Sequence, residues 1–125
     1  MTENEIAQII VDTAYRIHTT IGPGLLESAY EAIFVHELRK RGLCVQRQVG
    51  VPIIYEDVAI EEGFRADMIV EDLVIIELKA VERLAPVHKK QLLTYLRLTG
   101  KKLGLLINFN EEKIKDGIHR VVNGL

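Results

Sequence analysis

Asp67, Glu77 and Lys79 are charged residues embedded in two apolar runs, Asp-Met-Ile-Val-Glu-Asp-Leu-Val-Ile-Ile-Glu-Leu-Lys, over positions 67–79. A charge in a half-buried strand is costly unless it is paired or binds a metal. Two carboxylates and an ammonium on one face would make a divalent-cation site with a cationic partner, a combination suited to hydrolysing phosphodiesters. Strand alternation indicates that they share a face. Ala66, Met68 and Val70 form one apolar set, and Val74, Ile76 and Leu78 form another. Matching the two sets across an antiparallel hairpin aligns 70 with 74, 68 with 76 and 66 with 78. Asp67 then opposes Glu77, and Arg65 opposes Lys79, on the other face. A slip of one residue would send each set to the wrong side. The register predicts a loop with an odd number of residues centred on Asp72, and a two-residue turn at Glu71-Asp72 would contradict it. The same charges also have a purely structural use as diagonal ion pairs, Asp67 with Lys79 and Glu77 with Arg65.

The elements that must position these residues follow from pattern and punctuation. Thr2-Glu3-Asn4-Glu5 is a capping box, followed at helical spacing by Ile6, Ile9, Ile10, Ala14, Ile17 and Ile21. Gly22-Pro23-Gly24 breaks that helix. A second helix over about 25–41 is apolar at Leu26, Ala29, Ile33 and Leu38, and Gly42 ends it. Residues 45–55 read as extended, with Pro52 pointing to an edge strand or a bulge. After Glu56-Asp57 a long strand runs through Val70, and a second strand covers 73–80. Pro86 opens a third helix that Gly100 stops after Thr99. Residues 102–109 read as a fully buried strand, and the tail as a short helix with a closing extended segment. A strand reached through a helical crossover implies a mixed sheet with helices packed on it.

Composition sets broader limits. A chain of 125 residues with 48% apolar content and no Trp fits one α/β domain with a real core. The N-terminus lacks a basic region followed by an apolar run, and no stretch of apolar residues is long enough to span a bilayer. The expectation is a cytoplasmic protein without a membrane segment. The single Cys44 leaves no partner for an internal disulfide and no Cys-based zinc site. It reads as a small, partly buried residue in a reducing compartment. The net charge of −2 gives no overall attraction to nucleic acid, but its distribution is uneven. Residues 79–102 carry seven bases against Glu82 alone, and Arg39, Lys40, Arg41 and Arg47 form a second basic cluster. Such stripes suit phosphate tracking, although helix ends also collect Lys and Arg for dipole reasons.

Asp67 followed by Glu77-x-Lys79 on the next strand, within that element order, resembles the PD-(D/E)XK nuclease superfamily. Glu27 lies on the preceding helix, where many of these nucleases carry an additional acid. Gln91-x-x-x-Tyr95 lies on the following helix and resembles the QxxxY motif of one branch. More closely, Gly24-Leu-Leu-Glu27-Ser-Ala-Tyr30 matches the pattern that names the GxxExxY proteins. That similarity extends to Gly63-Phe64-Arg65-Ala66-Asp67, Leu93-Thr94-Tyr95 and Leu105-Leu106-Ile107-Asn108-Phe109. Ala66 stands where the superfamily motif has proline.

The resemblance implies one restriction-endonuclease-like domain over 1–125. Its fold would have three layers, with a mixed sheet flanked by helices, an α-βββ-α-β core and an extra N-terminal helix. It further implies Mg²⁺ or Mn²⁺ held by Asp67, Glu77 and the Leu78 carbonyl. Lys79 and Glu27 would join the catalytic set, and Gln91 and Tyr95 would hold a phosphate or brace Lys79. The substrate would be a nucleic acid, DNA before RNA, and pairing into a homodimer would extend the basic surface. A second class of function remains open, namely a non-catalytic nucleic-acid-binding or protein-interaction module built on the same fold. His88, one turn before Gln91, could join that helix face. The bland reading of both His88 and His36 is a surface helix residue. Tyr30 reads as packing or a core-edge hydrogen bond.

Overall fold

The computed structural model describes residues 1–125. Helix α1 (Glu3–Ile21) begins at the expected capping box: Glu5 N donates to Thr2 Oγ1 at 3.2 Å, and Thr2 N donates to Glu5 Oε1 at 2.9 Å. Helix α2 (Glu27–Lys40) is followed by the strands β1 (Val45–Tyr55), β2 (Val58–Val70) and β3 (Val74–Lys79). Helix α3 (Pro86–Thr99), strand β4 (Leu103–Asn108), the short α4 (Ile114–Gly117) and β5 (Ile118–Val122) complete the chain. The strands lie in sequence order in one five-stranded sheet. All neighbours are antiparallel except β3 and β4, which the α3 crossover makes parallel. The mixed sheet is therefore as expected. Gly100 closes α3 in the left-handed conformation at φ 71°.

Two apolar clusters divide the molecule into three layers. On one face α1 and α2 pack Ile6, Ile10, Phe34 and Leu38 against Met68, Ile76, Leu105 and Phe109. On the other, Leu92 and Leu96 of α3 cover Ile69, Ile75 and Leu106. A Cβ at Gly104 would lie 2.8 Å from Leu92, so glycine there lets α3 sit close to β4. Strand β4 is buried along its whole length, as its uninterrupted apolar run predicts. Pro52 lies on the edge strand β1, where the register shifts between Val51 and Ile53.

Three expectations are corrected. The buried face of α2 is Tyr30, Glu31, Phe34, Val35 and Leu38, whereas Leu26 is 76% exposed. Leu26 is the N-cap rather than part of the stripe, and the aromatic pair at 30 and 34 carries the contact instead. Cys44 is exposed, because it sits in the short turn between α2 and β1. The third correction concerns Ala66. It packs in the cluster beneath α3, while Met68 and Val70 face α1 and α2. On β1, Val45 and Val49 divide in the same way. The alternation thus skips a step at Gln48 and Asp67, and Gln48 has a left-handed backbone with φ 51°.

Candidate active site

The β2–β3 hairpin has the predicted register next to its turn, with Met68 opposite Ile76, Ile69 opposite Ile75 and Val70 opposite Val74. The expected pairs of Ala66 with Leu78 and Arg65 with Lys79 do not form, because the strand changes face at Asp67 and puts Ala66 and Leu78 in opposite clusters. Three residues, Glu71, Asp72 and Leu73, form the turn. Beyond Met68 and Ile76 the ladder stops, and side chains take over its hydrogen bonds. Leu78 N donates to Asp67 Oδ2 at 2.8 Å, and Asp67 N donates to Glu77 Oε1 at 3.4 Å. The strands splay where the two carboxylates meet. A residue's N–H and C=O leave the same side of a strand, so the Leu78 carbonyl also points into this opening. Lys79 uses its carbonyl on the opposite side, accepting from Phe109 N at 2.9 Å.

Neither diagonal ion pair forms. Arg65 instead binds Glu62 at 2.7 Å and donates to Gln48 O at 3.1 Å, and no salt bridge involves Asp67, Glu77 or Lys79. The two acids face each other with no bound cationic side chain between them. Burial, and then the neighbouring Asp67 carboxylate, push the Glu77 carboxyl up to about 9. In the absence of a cation, the raised value favours a protonated Glu77 beside the Asp67 carboxylate. A divalent cation is the natural replacement for that proton. The donor set, two carboxylates and a main-chain carbonyl, fits a hard ion that takes oxygen ligands and retains water. No three His, Cys, Asp or Glu side chains converge closely enough to hold an ion by themselves.

Asp67 lines two hollows, one on each side. Toward α3, the lining residues are Arg65, Glu77, Lys79, His88, Gln91 and Tyr95. Toward α2 they are Glu27, Ser28, Glu31, Gln48 and Leu78. The structure thus gathers Asp67, Glu77, Lys79, Gln91 and Tyr95 around one hollow and sets Glu27 across the other. Gln91 and Tyr95 share a helix face because they are one turn apart. The Tyr95 ring stacks on Phe64 with centroids 3.9 Å apart, which aims the ring's edge at the site. Burial, then the charges of Glu77 and Asp67, raise its phenol, so it stays neutral. His88 accepts Ala85 N at Nδ1 (3.1 Å), which leaves Nε2 to carry the ring proton.

A family model described as the PD-(D/E)XK nuclease superfamily matches residues 4–121. The chain belongs to that superfamily. No curated protein and no solved structure matches significantly. Further side chains hold the backbone around the candidate site. Buried Asn108 accepts Val81 N at 3.1 Å and donates to Val81 O at 2.8 Å, fixing the segment that follows Lys79. Tyr30 is fully buried, stacks on Phe109 at 4.4 Å, and hydrogen-bonds Gly22 O and Leu25 N. It therefore ties down the turn that delivers Glu27, as its core-edge reading anticipates. Two residues around this candidate site escape the sequence reading, Glu31 and Gln48. Glu31 follows Glu27 by one helical turn, and Gln48 falls opposite Asp67 once β1 is placed in register. Those two spacings are the signals that point to them.

Proposed function

We propose that the protein is a metal-dependent nuclease that hydrolyses phosphodiester bonds in DNA, with Asp67, Glu77 and the Leu78 carbonyl holding Mg²⁺ or Mn²⁺. The observation that carries this reading is the Asp67–Glu77 pair, two half-buried acids that meet where the hairpin splays and that have no cationic side chain bound to them. When bound, the ion would lower the pKa of a water and polarise the phosphoryl oxygen. Lys79 faces the same hollow and supplies a positive charge to the phosphate or orients the attacking water. Gln91, Tyr95 and the Nε2–H of His88 are donors along the α3 wall and position the phosphate. Glu27 acts from the α2 side, through water or a second cation. Within the superfamily, Gly24-x-x-Glu27-x-x-Tyr30 and Gln91-x-x-x-Tyr95 favour the GxxExxY proteins with a QxxxY helix. An exposed thiol at Cys44 is compatible with a reducing cytoplasm. Pairing of two chains would extend the basic surface along a duplex.

The test is Mn²⁺-dependent cleavage of single-stranded, duplex and branched DNA, with RNA alongside, by wild type and Glu77→Ala prepared in parallel. Cleavage by wild type alone is the expected result. Equal residual activity in both would mean contamination and would favour the non-catalytic binding module. Such a module binds nucleic acid without metal, with an affinity insensitive to Asp67→Ala and Glu77→Ala.

A further inference from the structure

Gln48 occupies an unusual place in the sheet. Its neighbours Arg47 and Val49 pair with Met68 and Ala66, which sets Gln48 directly across from Asp67. Yet its φ is 51°, in the left-handed region that a non-glycine residue in a strand avoids. Here the hairpin exchanges faces, as the split of Val45 from Val49 and of Met68 from Ala66 records. Arg65 Nη1 donates to Gln48 O at 3.1 Å and holds the turned peptide.

The twisted backbone sends the side-chain amide between two carboxylates. Gln48 Nε2 donates to Glu31 Oε1 at 2.6 Å and to Asp67 Oδ1 at 3.3 Å. Glu31 is only 7% exposed and is also held by Arg47 Nε at 3.3 Å. Asp67 therefore has a donor on each oxygen, Gln48 on Oδ1 and Leu78 N on Oδ2. The carboxylate cannot rotate without losing one of them, and it lines the hollows on both sides. A strained backbone persists only where its surroundings over-determine it, and it is often found where a functional group must be aimed.

We propose that Gln48 is a positioning residue for the metal site: its amide, anchored by buried Glu31, fixes the Asp67 carboxylate in the orientation that receives the cation. This rests on the metal-site reading above. Outer hydrogen bonds of this kind change metal affinity about 10–100-fold when removed.

Two variants separate positioning from folding. Gln48→Gly keeps the left-handed backbone without strain but deletes the amide. Gln48→Glu keeps the length but replaces the donor with a third carboxylate. Mn²⁺ affinity is measured by calorimetry, and melting temperature is measured in EDTA, for each variant and wild type. Gln48→Gly relieves the left-handed strain but loses the hydrogen bond to buried Glu31. It should therefore melt close to the wild-type temperature yet bind Mn²⁺ about tenfold more weakly. Gln48→Glu, which repels Asp67 instead of holding it, should also depart from the wild-type affinity. Mn²⁺ affinity within twofold of wild type in both variants overturns the proposal while leaving the metal site intact. A Gln48→Gly protein that loses affinity only in step with a large fall in melting temperature also overturns it, since the role would then be structural. Absence of Mn²⁺ binding by wild type overturns the metal site and this role together.

Discussion

With the Glu77 carboxyl raised to about 9, stability without metal should depend on pH in a defined direction. In the unfolded chain a glutamate titrates near about 4.3. Between those limits the native state holds a proton that the unfolded state has released, so stability falls as pH rises through the window. It is fully present below the unfolded value and lost by the folded one, at up to about 1.4 kcal/mol per pH unit for one proton. Melting in EDTA at pH 5 and pH 8.5 should show the fall in wild type and a flatter profile in Glu77→Gln. Parallel profiles would mean that Glu77 is already ionised. Lys79 makes a different prediction, because it lines the hollow and forms no salt bridge. Lys79→Ala should leave Mn²⁺ affinity near wild type and lower kcat for cleavage by about 10²-fold or more. A loss confined to KM would place Lys79 in substrate binding alone.

Among the elements, α3 and the turn before α2 do most to aim the candidate site. Tyr95 combines a stack on Phe64 with a hydroxyl on the acidic side. Tyr95→Phe keeps the stack and should melt at the wild-type temperature while losing about tenfold in cleavage rate. Tyr95→Ala should lose stability as well, by at least the 0.5–1.5 kcal/mol typical of an aromatic pair, about 1 kcal/mol. A Tyr95→Phe protein with wild-type rate would make the residue a core aromatic only. Tyr30→Phe removes the hydroxyl that bonds Gly22 O and Leu25 N, and should cost about 1–2 kcal/mol in denaturant unfolding because buried groups lose their partner.

The same scale explains what could be read in advance. Met68–Ile76 and Val70–Val74 pairing, the odd loop and the α3 boundaries follow from apolar alternation, Pro86 and Gly100, all local signals. The face exchange at Gln48 and Asp67 does not, because alternation presumes regular strand dihedrals. A glutamine gives no warning of a left-handed backbone, as a glycine or an asparagine would. The α2 face differs from the periodic expectation because Leu26 belongs to the cap and the buried stripe is set by Tyr30 and Phe34 meeting Phe109. Asp67, Glu77 and Lys79 were legible because charge within an apolar strand is rare enough to be informative. Glu31 was not, since an acid in a helix usually faces water.

Over the whole molecule, one exposed basic stretch lies on a helix that walls the candidate site. Lys89, Lys90 and Arg97 are exposed on α3, the helix whose Gln91 and Tyr95 line the hollow. No helix is long and apolar enough to cross a membrane. A Lys89→Glu/Lys90→Glu double variant should bind DNA more weakly across all sequences, with a shallower salt dependence, and melt at nearly the wild-type temperature. Affinity unchanged at low salt would move the nucleic-acid surface elsewhere, with the Arg39, Lys40 and Arg47 cluster beside α2 as the next place to look.

The central claim is that Asp67 and Glu77 form a cation site whose metal-free form is held by a proton. Calorimetric titration of Mn²⁺ at pH 7, repeated in two buffers of different ionisation enthalpy, tests it directly. The account predicts saturable binding by wild type that releases close to one proton, strengthens as pH rises toward 9, and disappears in Asp67→Ala. Binding that is equally strong in Asp67→Ala, or no saturable binding in wild type at any pH up to 9, would contradict it.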